Sequence, residues 1–473
     1  MKTGKFNLES LMIAVYYILY IAVALTLVFV QPFGDPPDEV GRNAIVQYIW
    51  YYAKLPNGFE ESIRINGYGF SYAFQPILPY IIQALVMRVA TFLFHPTSAA
   101  LLYIARMVNF TFGLMMAHFV LQLSRLLFAD KRLQYLFSFL VMFLPQSIFM
   151  HTYVNTDSCC MLSIAVMLYG LIRGTKEHFS MRSCITLSVG IILCALSYYN
   201  AYGFILSSIL LFTAFYLSVQ NHRLSFDWKS FLQKGIFISI VVLAGIGWWF
   251  VRSYILYDGD FLGLKTRDYC ASLYAIPTVN PLTRITFQNQ GYSVWYMLRN
   301  TNFIQSTVDS FICMYGPLTI ATSVWVYRFY KLLFAAGLLC CIILPWKKLS
   351  TDNSLYTERP GYRVFFTVNM IFCALMPCIL SITYSYTTDY QAQGRYVLPA
   401  LIPMVYFVVR GIHKGLCAAK LCLQKLITQK PIKDDCFNHL STGLVVFICF
   451  VIVFCLLLTI YKVVVPYYAA FNG

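Results

Sequence analysis

Charged side chains are scarce in this sequence. Asp, Glu, Lys and Arg make up 11% of the 473 residues, whereas 59% are hydrophobic. Soluble domains carry about 25% charged residues, so the composition excludes an ordinary soluble protein. Apolar runs of 18 or more residues recur along the chain, and such runs indicate membrane-spanning helices. We therefore predict an all-α polytopic membrane protein, with residues 1–473 forming a single membrane domain and no soluble domain.

Several well-known functional motifs are also missing. The sequence has no Cys-x-x-Cys pair, P-loop, Gly-x-Ser-x-Gly elbow or dinucleotide fingerprint. Its 7 His residues are scattered, so we expect no metal site and no cofactor. The 15 Cys lie mostly inside apolar runs, where Cys behaves as a small hydrophobe. Basic residues are spread between the apolar runs without forming a stripe, which argues against a nucleic-acid partner.

The basic residues that are present predict the topology. The formal net charge is +16, and an excess of Lys and Arg marks cytoplasmic loops. Lys2 and Lys5 precede the first apolar run, which places the N-terminus in the cytoplasm and the first loop outside. About eleven spans follow, ending with the C-terminus outside, in the plasma membrane. They are residues 11–30, 101–128, 133–151, 157–173, 184–199, 201–219, 235–256, 318–345, 364–385, 396–412 and 442–465.

Two polar segments are predicted on the outer face. The first outer loop, residues 31–98, is expected to hold an amphipathic helix over residues 39–53, with Ile45 and Ile49 on its apolar face and Arg42 off it. Residues 70–94 are apolar enough to span, but spanning would put every later basic loop outside. We therefore place them in the outer leaflet as a re-entrant or interfacial element. The second outer segment is residues 257–317.

Acidic residues are few, yet three lie together directly after the first span, in Asp35-Pro36-Pro37-Asp38-Glu39. Asp38 follows two prolines, which is the position of a helix N-cap. A carboxylate at the outer interface can also act as a general base toward a hydroxyl group. Adjacent acids repel, which raises the pKa of one of them unless a cation is near. Both interpretations stay open at this point, and they are compatible.

Three arginines are predicted on the same face as Asp38. Arg106 either extends to the interface or binds a phosphate through its planar fork of donors. Arg252 follows two Trp residues. It either anchors the chain in the aromatic belt at the membrane interface or binds a phosphate. Arg395 lies at the entrance of a later span. Asn155 and Asp157 begin another span, where Asp157 is either an N-cap or a second acid beside Asp38.

These motifs together resemble the GT-C superfamily of polytopic glycosyltransferases, over about residues 10–412. Within it, the chain is similar to bacterial membrane-protein relatives of the protein O-mannosyltransferase and aminoarabinose-transferase group. The resemblance is carried by Pro36-Pro37-Asp38-Glu39, Phe74-Gln75-Pro76-Ile77-Leu78-Pro79-Tyr80, Ala105-Arg106-Met107-Val108-Asn109, Val154-Asn155-Thr156-Asp157, residues 249–260 and Gln393-Gly394-Arg395-Tyr396-Val397-Leu398-Pro399. The chain departs from the pattern at Gly41-Arg42-Asn43, where many relatives have a His a few residues after the acidic pair, and at Ser253, where they have Asn. Tyr257-Asp258-Gly259-Asp260 carries an extra Asp.

The resemblance implies an inverting transfer of a sugar from a polyprenyl-phosphate donor to an envelope glycan, lipid or polymer acceptor. Asp38 would be the base, and Glu39 a supporting acid or the base in its place. Substrate binding would fall to Gln75, Arg106, Asn155, Asp157, Arg252, Gln393, Arg395 and Tyr396. Tyr68, Trp295, Tyr296, Tyr386 and Tyr390 are aromatic candidates for stacking on a sugar.

Two other functions compete with this interpretation. One is a transporter or flippase of lipid-linked glycans, and the other is a non-catalytic envelope-assembly protein. Transporters place ionisable groups at the bilayer midplane, often within repeats. Here the ionisable groups are predicted near the outer face, and no repeat is visible. The pattern therefore favours an enzyme that works at the membrane surface among membrane lipids.

Overall fold

The structure is a computed structural model that describes residues 8–220, 223–344, 360–427 and 434–471. Helices account for most of this part of the chain. They are α1 (Leu8–Val30), α2 (Glu39–Tyr52), α3 (Leu78–Phe94), α4 (Ser98–Leu127), α5 (Lys131–Met142), α6 (Pro145–Phe149), α7 (Asp157–Lys176), α8 (Met181–Ala195), α9 (Tyr202–Phe215), α10 (Trp228–Leu256), α11 (Leu264–Tyr274), α12 (Val294–Asn300), α13 (Phe303–Ile312), α14 (Val324–Ile343), α15 (Pro360–Thr387), α16 (Leu401–Ile427), α17 (Asp434–Thr459) and α18 (Val465–Phe471). Strands β1 (Leu217–Gln220) and β2 (Arg223–Phe226) form an antiparallel pair between α9 and α10.

The helical membrane architecture is confirmed, with a different division into spans. Within the described residues, eight helices are long and apolar enough to cross a membrane: α1, α4, α7, α10, α14, α15, α16 and the stretch that begins in α17. The predicted spans 184–199 and 201–219 correspond to α8 and α9, which have 15 and 14 residues. The predicted span 133–151 is wrong as one helix. It divides into α5 and α6 before Pro145, which cannot donate a backbone hydrogen bond inside a helix.

Basic residues gather at one end of the bundle. Glu9, at the start of α1, pairs with Lys131 at 2.6 Å and with Arg125 at 3.8 Å. Arg132 donates to the carbonyl of Asn438 at 3.1 Å, and Lys176 donates to the carbonyl of Leu126 at 3.3 Å. The basic-loop rule predicts that this end faces the cytoplasm.

The first loop lies at the opposite end. Tyr468 of α18 donates a hydrogen bond to Asp35, and Arg106 of α4 donates to the carbonyl of Gln31 at 2.7 Å. The first loop is therefore held by α4 and α18, at the end of the bundle opposite the basic residues. The basic-loop rule predicts that the first loop faces outside.

Cysteine labelling tests this orientation. In intact cells, a cysteine placed at position 130 is expected to react only after the membrane is made permeable, because Asp130 lies at the basic end. A cysteine at position 390 should react with an impermeant reagent from outside, since Tyr390 lies in the loop before the Gly394–Tyr396 turn and is exposed. Labelling of position 130 from outside would contradict the orientation.

The first loop differs from the predicted surface helix. Ile45 and Ile49 of α2 are buried as expected, but Arg42 and Asn43 are also buried, and Tyr52 is 54% exposed. The polar side of α2 therefore faces the protein interior instead of water, which corrects the prediction that this helix lies on the outer surface. The reason is that Arg42 has a buried carboxylate partner, described below.

Helix α3 follows the first loop and pairs with the first half of α4. Gln83 of α3 donates to Asn109 of α4 at 2.9 Å, and both side chains are buried. The opposite side of α3 is exposed, including Phe92 at 83% and Phe94 at 76%. Such an apolar outer face is suited to lipid contact. The pairing leaves the second half of α4 to other helices.

Residues 257–317 fold over the end of the bundle. They contain α11, α12 and α13, joined by turns. The main chain of Ile276 donates to the carbonyl of Gly67 at 3.0 Å, which ties this segment to the first loop. Gly69 lies so close that a Cβ there would be 2.3 Å from the nitrogen of Ala275, so the contact requires glycine. Together the two segments enclose a cavity.

Candidate active site

The cavity between the first loop, residues 257–317 and the turn before α16 has a volume of about 520 Å³. Clefts of about 300–1,000 Å³ are typical of small-molecule sites. Its charged lining residues are Asp38, Arg42, Arg267, Asp268, Arg284, Asp389 and Arg395. Its aromatic and amide lining residues are Tyr68, Phe70, Tyr72, Gln75, Tyr80, Tyr198, Tyr199, Asn200, Tyr384, Gln391, Gln393 and Tyr396.

Asp38 occupies the N-cap position of α2 without capping it. Its φ is 63°, in the left-handed region, and its side chain makes no capping hydrogen bond. The prediction of a side-chain cap is therefore wrong, although the carbonyl of Asp38 accepts from the main chain of Arg42 at 3.1 Å. Left-handed conformations are uncommon outside glycine, with Asp and Asn enriched among the exceptions, and they cluster at functional sites. This backbone turns the carboxylate toward the cavity.

Two arginines contact the Asp38 carboxylate, both through Oδ2. Arg395 Nη1 lies 2.7 Å from this oxygen, and Arg42 Nη2 lies 3.4 Å from it. Burial acts to raise the pKa of Asp38, but the two guanidinium groups outweigh it and hold this pKa below its ordinary value. The Tyr72 side chain also acts to lower the pKa of this carboxyl group. Asp38 is therefore ionised at neutral pH, and its side chain keeps 30% exposure.

Arg42 joins two carboxylates. Its Nη1 donates to Asp157 Oδ2 at 2.8 Å, while its Nη2 contacts Asp38. The side chains of Arg42 and Asp157 are 6% and 7% exposed. Asp157 was predicted either to cap α7 or to lie beside Asp38. It lies in the first turn of α7, is joined to Asp38 through Arg42, and does not line the cavity itself.

Glu39 has a separate partner in the protein interior. Arg106 Nε donates to Glu39 Oε1 at 2.8 Å, and Arg106 Nη2 donates to Glu39 Oε2 at 2.6 Å. The main chains of Val154 and Gly34 donate to the same carboxylate at 3.1 and 3.2 Å. Both charged side chains are 0% exposed, and neither lines the cavity. Glu39 thus connects α2 with α4, the first loop and the turn before α7.

The remaining donors of Arg106 are occupied as well. Its Nη1 donates to the carbonyls of Val28 and Gln31 at 3.0 and 2.7 Å, and its Nη2 donates to the carbonyl of Pro32 at 3.2 Å. A guanidinium group has five N–H donors, so this geometry leaves none for a phosphate. Nor does Arg106 extend to the membrane interface, because its side chain is fully buried.

Asn155 supports the fold next to the site. Its side-chain amide donates to the carbonyls of Met150 and Tyr153, both at 2.9 Å, and its Oδ1 accepts from the main chain of Ser158 at 2.9 Å. Asn155 therefore caps the start of α7, the role expected of Asp157 as an N-cap. Asn155 is 0% exposed and does not line the cavity.

Arg252 lies away from Asp38. Its Nη2 donates to the carbonyl of Pro56 at 2.7 Å, and its guanidinium carbon is 5.3 Å from the ring centre of Trp249. It lines a separate, shallow depression on the surface together with Trp248 and Glu60. The structure therefore brings neither Arg106 nor Arg252 to the cavity, and Arg42, Arg267 and Arg284 line it together with Arg395.

The Gln393–Tyr396 turn forms one wall of the cavity. The main chain of Gly394 donates to the Ser310 hydroxyl at 2.7 Å, and a Cβ at Gly394 would lie 2.0 Å from the nitrogen of Phe311. Glycine is therefore required for the close approach to α13. This contact directs Arg395, which is 5% exposed, toward Asp38. Its Nε has no hydrogen-bond partner among the described residues.

Several predicted side chains line the cavity, and several do not. Gln75, Gln393, Arg395, Tyr396 and Tyr68 all line it with Asp38. Trp295, Tyr296, Tyr386 and Tyr390 lie in the covering segment or its neighbours but are not among the lining residues.

The lining residues that the sequence analysis did not propose for the site include Arg42, Tyr72, Arg267, Arg284 and Tyr384. The only sequence signal for Arg42 is its spacing of four from Asp38, which brings two side chains together on a helix. Among the described residues, no cluster of three or more His, Cys, Asp or Glu could hold a metal ion.

No family model and no curated protein matches the chain. Among solved structures, the apo oligosaccharyltransferase of Archaeoglobus fulgidus is similar with a TM-score of 0.50 and 14% identity, covering 95% of this chain and 55% of that one. The Cupriavidus metallidurans ArnT bound to undecaprenyl phosphate has a TM-score of 0.46 and 13% identity, covering 96% and 73%. The chain spans about half the length of the oligosaccharyltransferase. The similarity to the oligosaccharyltransferase shows the fold alone, and at that level the GT-C-like fold expected from the motifs is confirmed.

Proposed function

We propose that the protein is an inverting membrane glycosyltransferase. It moves a sugar from a polyprenyl-phosphate donor to a hydroxyl group of an envelope glycan, lipid or polymer on the outer face of the membrane. The observation that carries this proposal is the Asp38 carboxylate, which lines the cavity, stays partly exposed and meets both arginines through Oδ2. The shortest contact of each arginine is to Oδ2, and we assign Oδ1 as the oxygen that accepts a proton from the acceptor.

The reaction has one proton transfer and one substitution. As Asp38 takes the proton of the acceptor hydroxyl, that oxygen forms a bond to the anomeric carbon. The bond between the anomeric carbon and the phosphate oxygen breaks on the opposite face, so the configuration inverts. The polyprenyl phosphate leaves with the electron pair. A carboxylate base must be ionised before the reaction, and the lowered pKa of Asp38 ensures this at neutral pH.

Arg395 is the residue that we assign to the leaving phosphate. It is buried, lines the cavity and has an Nε without a hydrogen-bond partner among the described residues. Guanidinium groups suit phosphate because their donors match its oxygens, and fixed cations stabilise charge that develops on the leaving group. Arg395 also contacts Asp38, so it lies between the base and the leaving group.

We assign sugar binding to aromatic, amide and hydroxyl side chains of the cavity. Tyr68, Tyr384, Gln75, Gln391 and Thr388 line it. Aromatic rings pack on the apolar faces of sugars, and amides and hydroxyls can donate to and accept from sugar hydroxyl groups. A cavity of about 520 Å³ has the size of a small-molecule site.

A transfer assay on proteoliposomes tests the proposal against a flippase. The purified protein is incubated with a radiolabelled polyprenyl-phosphate sugar and an envelope extract as acceptor. We expect the label to leave the lipid, with the release of one polyprenyl phosphate per sugar transferred. A flippase would move the intact donor to the other leaflet, where an impermeant oxidant could no longer reach it. Movement of the intact donor without cleavage of its sugar–phosphate bond would contradict the proposal.

A further inference from the structure

We propose that Arg42 is a positioning residue that holds the base: a buried bridge from Asp38 through Arg42 to Asp157 fixes the Asp38 carboxylate by Oδ2, so that Oδ1 faces the acceptor. This inference rests on the proposed function and adds a residue that the sequence motifs do not assign.

The geometry of the bridge is specific. Arg42 lies one helical turn after Asp38 on α2, so the helix itself sets their spacing. Its Nη1 bond to Asp157, at 2.8 Å, is shorter than its Nη2 contact to Asp38, at 3.4 Å. The guanidinium carbon of Arg42 is 5.3 Å from the ring centre of Tyr72, so this ring covers one face of the guanidinium group. Arg42 is therefore anchored by Asp157 and presents its second nitrogen to Asp38.

The two arginines beside Asp38 then have different tasks. Arg395 comes from the turn before α16 and contacts no second carboxylate among the described residues, so its charge is available to a phosphate. Arg42 is already neutralised in part by Asp157 and is only 6% exposed. A buried arginine tied to a carboxylate cannot move to a ligand without leaving that charge unpaired, which is costly. We therefore assign Arg42 to holding Asp38 and not to binding the leaving phosphate.

The ionisation of Asp38 reports on this arrangement, and the groups around Asp38 determine the sign of each expected change. From α2, Arg42 contacts the carboxylate, and the charge of the adjacent Glu39 is neutralised by Arg106 in the interior. The groups from other elements that interact with Asp38 or with its two arginines are Tyr68, Tyr72, Tyr80, Tyr153, Asp157, Tyr198, Arg395 and Tyr396. None of the tyrosines carries charge at acidic pH. Arg42 and Arg395 therefore lower the pKa of Asp38, whereas Asp157 can only act in the opposite direction.

The test is the acid limb of kcat/KM, which follows ionisation of the base in the free enzyme. In Arg42→Gln, we expect the acid limb to move to higher pH by about one unit, because Asp38 loses one of its two neighbouring cations. At a given pH on this limb, kcat/KM should therefore be about tenfold lower than in the wild type. In Asp157→Asn, the limb should stay or move to lower pH, since the change removes an anion. Arg42→Lys keeps a charge at this position and should restore most of the wild-type limb.

Controls separate this inference from the proposed function and from misfolding. Arg173→Gln removes an arginine from an equivalent i,i+4 pair with Glu177, far from the cavity, and should leave the pH profile unchanged. If Arg42→Gln does not fold, Arg42→Gln combined with Asp157→Asn leaves no buried charge unpaired, and its limb should still move upward. If Arg42→Gln folds, its acid limb stays at the wild-type pH and Asp38→Asn is inactive, the role of Arg42 is overturned and the proposed function is not. Full turnover by Asp38→Asn would overturn the proposed function.

Discussion

Asp38→Asn is expected to lower the turnover of sugar transfer by about 10²–10⁴-fold, the usual contribution of a general base. Asn is the appropriate replacement for two reasons. It tolerates the left-handed backbone found at Asp38, with φ of 63°, so the turn into α2 should persist. It also has nearly the same shape, so it removes the proton acceptor and little else. Transfer from the radiolabelled donor is the measurement.

The matched control for this variant is Asp35→Asn in the same loop. Asp35 accepts a hydrogen bond from Tyr468 and does not line the cavity, so turnover should stay close to that of the wild type. Thermal unfolding of both variants checks that they are folded. Asp38→Asn should unfold near the wild-type temperature, because Arg42 keeps its bond to Asp157. Wild-type turnover by a folded Asp38→Asn protein would contradict the assignment of the base.

The general placement of the site could be predicted from the sequence. Apolar runs and basic loops locate the ends of helices, and an end that lacks basic loops but contains Asp38 and Arg395 becomes the candidate face. Both residues do line one cavity, together with Gln75, Gln393 and Tyr396. Local chemistry was sufficient here, since Gly394 and the prolines next to Asp38 restrict the backbone whatever surrounds it.

The pairing of the charges could not be predicted in the same way. The sequence places four charged residues at one membrane depth, but it does not show which way each side chain turns. They are Asp38, Glu39, Arg106 and Arg252. The structure pairs Glu39 with Arg106 in the interior and turns Arg252 to the carbonyl of Pro56. These choices depend on contacts between residues 67 and more positions apart in sequence. A single sequence without relatives contains no information on such pairs.

Arg42 was missed for a related reason. The amphipathic pattern of α2 assigns charged residues to water, and Arg42 lies off the apolar face. That rule fails when a buried carboxylate from another helix, here Asp157, neutralises the charge. The cover formed by residues 257–317 was likewise beyond prediction, because α11, α12 and α13 are short and irregularly spaced.

The buried pair of Glu39 and Arg106 leads to the second large effect, this time on stability. Glu39→Gln leaves the Arg106 charge without a partner in a fully buried site, and such a loss costs about 3–5 kcal/mol. We expect a much lower unfolding temperature and a low yield of folded protein. Glu9→Gln is the control at the other end of the bundle, where Glu9 and Lys131 are exposed to water, and it should have little effect.

A double-mutant cycle decides between a structural and a chemical role for Glu39. Combining Glu39→Gln with Arg106→Met removes both charges, so the double variant should be less destabilised than the sum of the two single changes. Full recovery is not expected, because the carbonyls of Val28, Gln31 and Pro32 lose their donors. If Glu39→Gln instead folds with wild-type stability and loses turnover, Glu39 takes part in the chemistry, and Asp38 is not the only essential acid. If the folded fraction of Glu39→Gln keeps its turnover, Glu39 has a structural role and Asp38 remains the base.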